Sequence, residues 1–225
     1  MAPSRLWLLY GGTFDPVHNG HLAIARCARD ELASPVRLMP AADPPHRAPP
    51  GADAAQRAAM LELAIAGEPG LSVDLRELVR AKEHPGVPSW TVDTLRQLRA
   101  QIGASQPVAL LIGADSLLGL PEWHEWERLL ELAHLVVADR PGSPLEGGLP
   151  AVLADRLQEA WADSAAQLRA AAGGRVLRLR QPLQSESATV VRGLIADGGA
   201  WRELVPARVA DFIVENRLYG CQSDS

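Results

Sequence analysis

The apolar run Leu6-Trp7-Leu8-Leu9-Tyr10 breaks at Gly11-Gly12, and a helical pattern takes over from His21 to Leu32. Strand, glycine turn and helix in that order open an α/β unit, with the loop placed where such folds bind ligands. Glycine lets a ligand come close to the backbone. The start of a helix offers open N–H groups and the positive end of its dipole to an anion. Into this turn the chain puts Thr13 and Phe14, then two histidines three apart, His18 and His21, with Gly20 between them. The set suits a polyphosphate.

The same alternation continues along the chain. Leu6–Tyr10, Val36–Met39, Leu71–Val73, Val108–Ile112, Leu135–Ala138 and Val176–Leu179 read as strands. His21–Leu32, Ala54–Ala66, Val92–Ile102, Glu122–Leu132, Ala151–Ala171, Val190–Ala196 and Arg208–Arg217 read as helices. Strands alternating with helices predict an α/β fold, a Rossmann-like, doubly wound and mostly parallel sheet with helices on both faces. Ligands then sit beyond the carboxyl ends of the strands. The loops there are Gly11–Gly20, Pro40–Pro50, Gly113–Ser116 and Asp139–Gly142. Pro40–Pro50 is long for a strand-to-helix link, which favours a working loop over a tight connection. The 225 residues are expected to form a single domain, with residues 143–174 as a variable helical insert and 221–225 as a frayed tail.

Composition narrows the class of partner. A net charge of −5 argues against broad binding to nucleic acid or to a membrane surface. The two cysteines, Cys27 and Cys221, have no disulfide or metal-ligand spacing, which fits a reduced, cytoplasmic setting. No apolar run approaches the ~18–20 residues of a membrane span, and no targeting segment is expected.

The stretch Gly11-Gly12-Thr13-Phe14-Asp15-Pro16-Val17-His18-Asn19-Gly20-His21-Leu22 resembles the signature of the HxGH nucleotidyltransferases. Further stretches resemble one branch of them, the bacterial nicotinate-nucleotide adenylyltransferases. They are Pro44-Pro45-His46-Arg47, Pro88-Ser89-Trp90-Thr91, Ile112-Gly113-Ala114-Asp115-Ser116-Leu117, Leu120-Pro121-Glu122-Trp123-His124, Arg140-Pro141-Gly142 and Ser187-Ala188-Thr189-Val190-Val191-Arg192. The likeness covers the chain from Leu6 to Tyr219. It departs at Glu186, where the family often has a hydrophobic residue, at Ala188, where it often has a second serine, and at Trp90, where tyrosine is common. Ala188 can offer phosphate only its backbone N–H.

The resemblance implies attack by the 5′-phosphate of nicotinate mononucleotide on the α-phosphorus of ATP, giving deamido-NAD and pyrophosphate. A phosphomonoester has a second pKa near ~6, so the nucleophile needs no general base. It needs alignment, and relief of repulsion between two anions. His18, His21 and Arg192 are therefore expected to be catalytic as phosphate donors and positive charge. The ATP site is expected to take in Gly11, Gly12, Thr13, Phe14, Gly20, Gly113 and Asp115, with Ser187, Thr189 and Arg192 gripping the β and γ phosphates at a helix start. Asp115 would hold ribose hydroxyls or cap a helix. Asp15 and Pro16 would shape the loop and not touch ligand. For the nicotinate nucleotide the resemblance implies His46, Arg47, Trp90, Thr91, Trp123, His124 and Arg140. Trp123 would stack on the pyridinium ring, and Trp126, three residues on, would share its helix face. The N–H groups of Thr91 and His124 would meet the carboxylate, disfavouring the amide by ~2–4 kcal/mol. Mg²⁺ is expected to arrive with ATP, with no protein ligand assigned.

Two sibling activities compete with this expectation, adenylyl transfer to nicotinamide mononucleotide and to pantetheine phosphate. A reading of another class, a catalytically silent nucleotide-binding protein, would predict loss of a phosphate-contacting group, and His18, His21 and Arg192 are all present. The expected partners are ATP and nicotinate mononucleotide, with the chain acting as a monomer or homodimer.

Overall fold

A computed structural model describes residues 5–42, 51–139, 145, 148–180 and 186–221. The strands are β1 (Trp7–Gly12), β2 (Val36–Pro40), β3 (Leu71–Val73), β4 (Val108–Gly113), β5 (His134–Ala138) and β6 (Val176–Arg178). They form one sheet in the order β3-β2-β1-β4-β5-β6. β1–β4, β4–β5 and β5–β6 pair in parallel, with Tyr10 opposite Leu111 and Gly113 opposite Ala138. The order winds outward from β1 in both directions, the doubly wound plan. Its reversal lies at β1 and β4, and the register brings Gly11 and Gly113 to the same carboxyl edge. β5 and the five residues Val108–Ile112 of β4 are buried throughout, which is why the sequence there is continuously apolar and does not alternate. Each buried leucine or valine contributes roughly 1.5–3 kcal/mol.

The α-helices are α1 (Asn19–Glu31), α2 (Ala54–Ala64), α3 (Arg76–Glu83), α4 (Thr91–Ile102), α5 (Ala114–Leu118), α6 (Trp126–Leu132), α7 (Ala151–Leu157), α8 (Ala165–Arg169), α9 (Ala188–Ala196) and α10 (Ala207–Glu215). Two helices expected from the sequence are broken. The stretch Glu122–Leu132 is a short 3-10 turn, Leu120–Glu122, followed by α6. Between them Glu125 takes a left-handed backbone (φ 48), and its carboxylate is forked by Arg96 of α4 at 3.0 and 2.5 Å. A continuous helix cannot contain that residue conformation. The stretch Ala151–Ala171 is likewise α7 and α8. Trp161 pairs in parallel with Val176 of β6, Ala162 N–H donates to Val176 O at 2.7 Å, and Val176 N–H donates to Ala160 O at 2.8 Å. Sheet bonding there replaces helix bonding. The sequence reading also lacked α3, whose eight residues RELVRAKE include only three apolar side chains, and α5, which is only five residues long.

Close packing groups the chain into two compact units. One comprises Met1–Gly11, Cys27–Arg37 and Trp90–Leu183, and the other Gly12–Arg26, Leu38–Ser89 and Gln184–Ser225. In the first, Arg99 stitches loops together by donating to the carbonyls of Leu132 (2.8 Å) and Ala172 (2.6 Å). In the second, α2 begins with a reciprocal cap. Asp53 accepts from Gln56 N at 2.8 Å, and Gln56 accepts from Asp53 N at 2.9 Å.

Candidate nucleotide site

Within the second unit the turn after β1 is held from below. Gly12 leaves little room for a side chain, because a Cβ there would lie 3.0 Å from Cζ of Phe14. Phe14 is buried with a left-handed backbone (φ 51), and its ring meets the His21 ring edge-on at 4.9 Å. Phe14, expected in the ATP site, packs its ring against His21. The Asp15–Pro16 peptide is cis. The Thr13 carbonyl accepts from Nη1 of Arg57 at 2.8 Å, and the same guanidinium binds Ala41 O (2.6 Å) and Ala42 O (2.7 Å). Arg57 is buried on the apolar face of α2 beside Met60, Leu61 and Ala64.

His18 and His21 come together at the start of α1. Their rings lie 3.7 Å apart between centroids, and the His18 backbone N–H donates to His21 Nδ1 at 3.3 Å. His21 N–H in turn donates to His18 O at 3.0 Å, so the pair closes on itself like a capping box. Burial pushes the His18 imidazole down to about 4. Burial, and then the neighbouring His18 ring, hold His21 well below its usual range. Both are neutral at pH 7. Among the described residues His18 Nδ1 is buried without a hydrogen-bond partner. Such an atom is a place for a ligand to satisfy.

The same unit contains the late motif. Ser187 caps α9 by accepting from Val190 N–H at 3.3 Å, so the sequence expectation of a helix start there holds. The first-turn N–H groups of Ala188 and Thr189 have no partner among the described residues. Arg192 donates through Nη1 to Asp15 O at 2.6 Å and through Nη2 to Thr189 Oγ1 at 3.4 Å. Asp15 itself is buried and accepts from Gly51 N–H, Ala52 N–H and the Tyr219 hydroxyl. It shapes the loop, as its place in the sequence suggested.

The first unit holds the other expected site residues. Gly113 ends β4 and is the N-cap of α5, so Asp115 lies in the first turn of that helix, exposed, and is not its cap. Trp90 is the N-cap of α4, and its ring stacks on that of His124 at 4.8 Å. The backbone N–H groups of Thr91 and His124 have no partner among the described residues. Trp123 ends the 3-10 turn in extended backbone, half-buried, while Trp126 opens α6. The expectation that the two tryptophans share one helix face is corrected by the break at Glu125. His46, Arg47 and Arg140 lie outside the described residues. Among the described residues no cluster of three or more histidine, cysteine, aspartate or glutamate side chains could hold a metal ion.

Sequence reasoning did not find Arg57 or Tyr219. Arg57 had one faint signal, a cation at helical spacing among Met60, Leu61 and Ala64. Tyr219 had none.

A sheet that reverses at β1, a glycine turn at its end and a histidine pair opening the next helix define an α/β protein of the nucleotidyltransferase class. The family model of cytidylyltransferase-like proteins matches residues 9–193. A protein of Stenotrophomonas maltophilia named "Probable nicotinate-nucleotide adenylyltransferase" is 60% identical, over 95% of this chain and 96% of its own length. One of Xylella fastidiosa with the same name is 45% identical over 96% of each. Among solved structures, the nicotinic acid mononucleotide adenylyltransferase of Plasmodium falciparum complexed with NaAD shares the fold. It has a TM-score of 0.72 over 97% of this chain and 98% of that one, at 14% identity. The chain belongs to the cytidylyltransferase-like family and, within it, to the nicotinate-nucleotide adenylyltransferases.

Proposed function

We propose that the chain transfers the adenylyl group of ATP to nicotinate mononucleotide, a step of NAD biosynthesis, releasing pyrophosphate. The observation that carries the reaction class is the neutral His18–His21 pair, packed ring to ring at the start of α1. The acceptor rests on kinship with relatives of that name.

An oxygen of the acceptor's 5′-phosphate attacks the α-phosphorus. The bond from that phosphorus to the β-phosphate oxygen breaks, and pyrophosphate leaves with the electron pair. No proton has to move. Neutral imidazole N–H groups donate to phosphate oxygens and strengthen as charge builds up. Arg192 supplies a permanent positive charge, and Ser187 with the open N–H groups of Ala188 and Thr189 supplies further donors at the start of α9. Gly11, Gly113 and Asp115, at the carboxyl edge of β1 and β4, serve the nucleoside. Trp90, Thr91, Trp123 and His124 serve the nicotinate ring and its carboxylate. Mg²⁺ is carried by the phosphate chain, and no protein ligand is assigned to it. The setting is cytoplasmic, and no helix among the described residues is long and apolar enough to cross a membrane.

The test is pyrophosphate release from Mg·ATP with nicotinate mononucleotide, nicotinamide mononucleotide and phosphopantetheine in turn. Preference for the first is expected. Preference for the second would keep the phosphate chemistry and overturn the roles of Thr91 and His124. Activity with none would leave a silent nucleotide-binding protein.

A further inference from the structure

Asp15 and Arg192 form a long ion pair that does not close into a hydrogen-bonded fork. Arg192 Nη1 lies 3.7 Å from Asp15 Oδ2, yet its short bond, 2.6 Å, goes to the Asp15 backbone carbonyl. The guanidinium remains 36% exposed beside a carboxylate side chain that is 6% exposed. A two-bond fork between arginine and carboxylate is the strongest pairing open to these groups, so something holds it off.

What occupies the carboxylate is a set of neutral donors. Oδ2 accepts from Gly51 N–H at 2.8 Å. Oδ1 accepts from Ala52 N–H at 3.0 Å and from the Tyr219 hydroxyl at 2.7 Å, which fills it. Tyr219 is held there firmly. Its backbone is left-handed (φ 57), a conformation that persists in a bulky residue only when its surroundings fix it. Its ring covers Gly51 so closely that a Cβ on that glycine would stand 2.9 Å from Cδ1. Burial first, then Asp15, raises the tyrosine's pKa, so its hydroxyl donates at every working pH.

We propose that Tyr219 is a positioning residue for Arg192: its hydroxyl, on Asp15 Oδ1, anchors the carboxylate against Gly51 and Ala52 and so keeps the long ion pair from closing into a fork, leaving the guanidinium to the polyphosphate. The inference rests on the reading of Arg192 as a phosphate-binding group. Without the hydroxyl the carboxylate loses one of its three anchors and is freer to turn toward Arg192, which already stands 3.7 Å from Oδ2. The guanidinium turns inward and the phosphate site loses its fixed cation.

Tyr219→Phe isolates the effect, because the ring over Gly51 stays. Calorimetric binding of inorganic tripolyphosphate is compared in the full-length wild type, Tyr219→Phe, Arg192→Gln and the double variant, each first shown to melt cooperatively. The expected result is about tenfold weaker tripolyphosphate binding in Tyr219→Phe, a matching rise in the KM for ATP, and an unchanged KM for nicotinate mononucleotide. On the Arg192→Gln background the tyrosine change adds nothing. Unchanged tripolyphosphate affinity in Tyr219→Phe overturns the proposal. So does an equal loss on both backgrounds, which marks a role in folding alone. If Arg192→Gln itself binds tripolyphosphate like the wild type, the phosphate-binding reading of Arg192 fails first, and the proposal with it. Should Tyr219→Phe not fold, Tyr219→Trp, which keeps a ring and moves the donor, carries the same comparison.

Discussion

The backbone N–H of His18 donates to Nδ1 of His21 across 3.3 Å, and this bond decides which nitrogen of His21 carries the proton. A neutral imidazole that accepts at Nδ1 carries its proton on Nε2. The helix cap therefore sets the tautomer, and in the proposed reaction the Nε2 N–H of His21 is the donor to a phosphate oxygen. His21→Ala removes that donor together with the cap bond. Turnover is expected to fall by ~100-fold or more. The lost cap costs only about 1 kcal/mol, so the variant still folds and circular dichroism follows the wild type. A near-normal kcat for pyrophosphate release would take His21 out of the reaction.

The two histidines should also leave no mark on the pH profile. Burial lowers both pKa values, His18 to about 4, so each ring stays neutral well below its usual titration range. The group that titrates is the acceptor phosphate, with a second pKa near ~6. The acid limb of kcat/KM is expected to follow the ³¹P titration of free nicotinate mononucleotide. Histidine ring ¹⁵N shifts of His18 and His21 should stay flat over that limb. A midpoint that moves in His18→Asn would assign the limb to an imidazole instead.

Most of the fold was legible because the signals are local. A strand buried on both faces writes a continuous apolar run, as β4 and β5 do, and a glycine turn followed by a helix start is contiguous in the chain. His18, His21 and Arg192 were likewise visible from their motifs. What could not be read depends on pairings across distance. The breaks at Glu125 and Trp161 coincide with partners distant in the chain, Arg96 on another helix and Val176 on a strand, which the local helical pattern does not encode. The Tyr219–Asp15 bond joins residues 204 positions apart. The three carbonyls around Arg57 belong to residues 15 to 44 positions away.

Arg57 therefore makes a stability prediction. Its guanidinium satisfies the carbonyls of Thr13, Ala41 and Ala42 inside the protein. Arg57→Met keeps the stem and removes every donor. At roughly 1 kcal/mol or more for each carbonyl left buried and unpaired, a loss of about 3 kcal/mol is expected. For a chain of this size that lowers Tm by roughly 6–12 °C. Calorimetry of the two proteins decides it, and a Tm within a degree or two would show that the carbonyls find other donors.

Trp123 is half-buried at the end of the 3-10 turn and lies outside α6. If its indole stacks on the nicotinate ring, Trp123→Ala should raise the KM for nicotinate mononucleotide about tenfold and leave the KM for ATP nearly unchanged. Steady-state kinetics with each substrate varied in turn gives the two values, and equal effects on both would reject the stacking.

His134 carries a pH prediction of a different kind, on stability. It sits in β5, fully buried, with Nε2 donating to Ala171 O and Nδ1 accepting from Arg175 N–H, each at 3.0 Å. Protonation would place a second N–H against the Arg175 N–H. Burial lowers the pKa of His134, partly opposed by the bond to Ala171. The folded state thus binds the proton less readily than the unfolded chain, where histidine titrates near ~6.5. The neutral ring's contribution is complete above that value. It is lost progressively as pH falls below it toward the folded pKa. His134→Gln cannot take up a proton, so it should start less stable at neutral pH and lose less on acidification. The gap in unfolding free energy between the two proteins is expected to narrow as pH falls from ~7 to ~5. His18 and His21 titrate in the same direction, but they are common to both proteins and cancel in the difference. Parallel curves in urea melts across that range would show that His134 does not couple folding to protons.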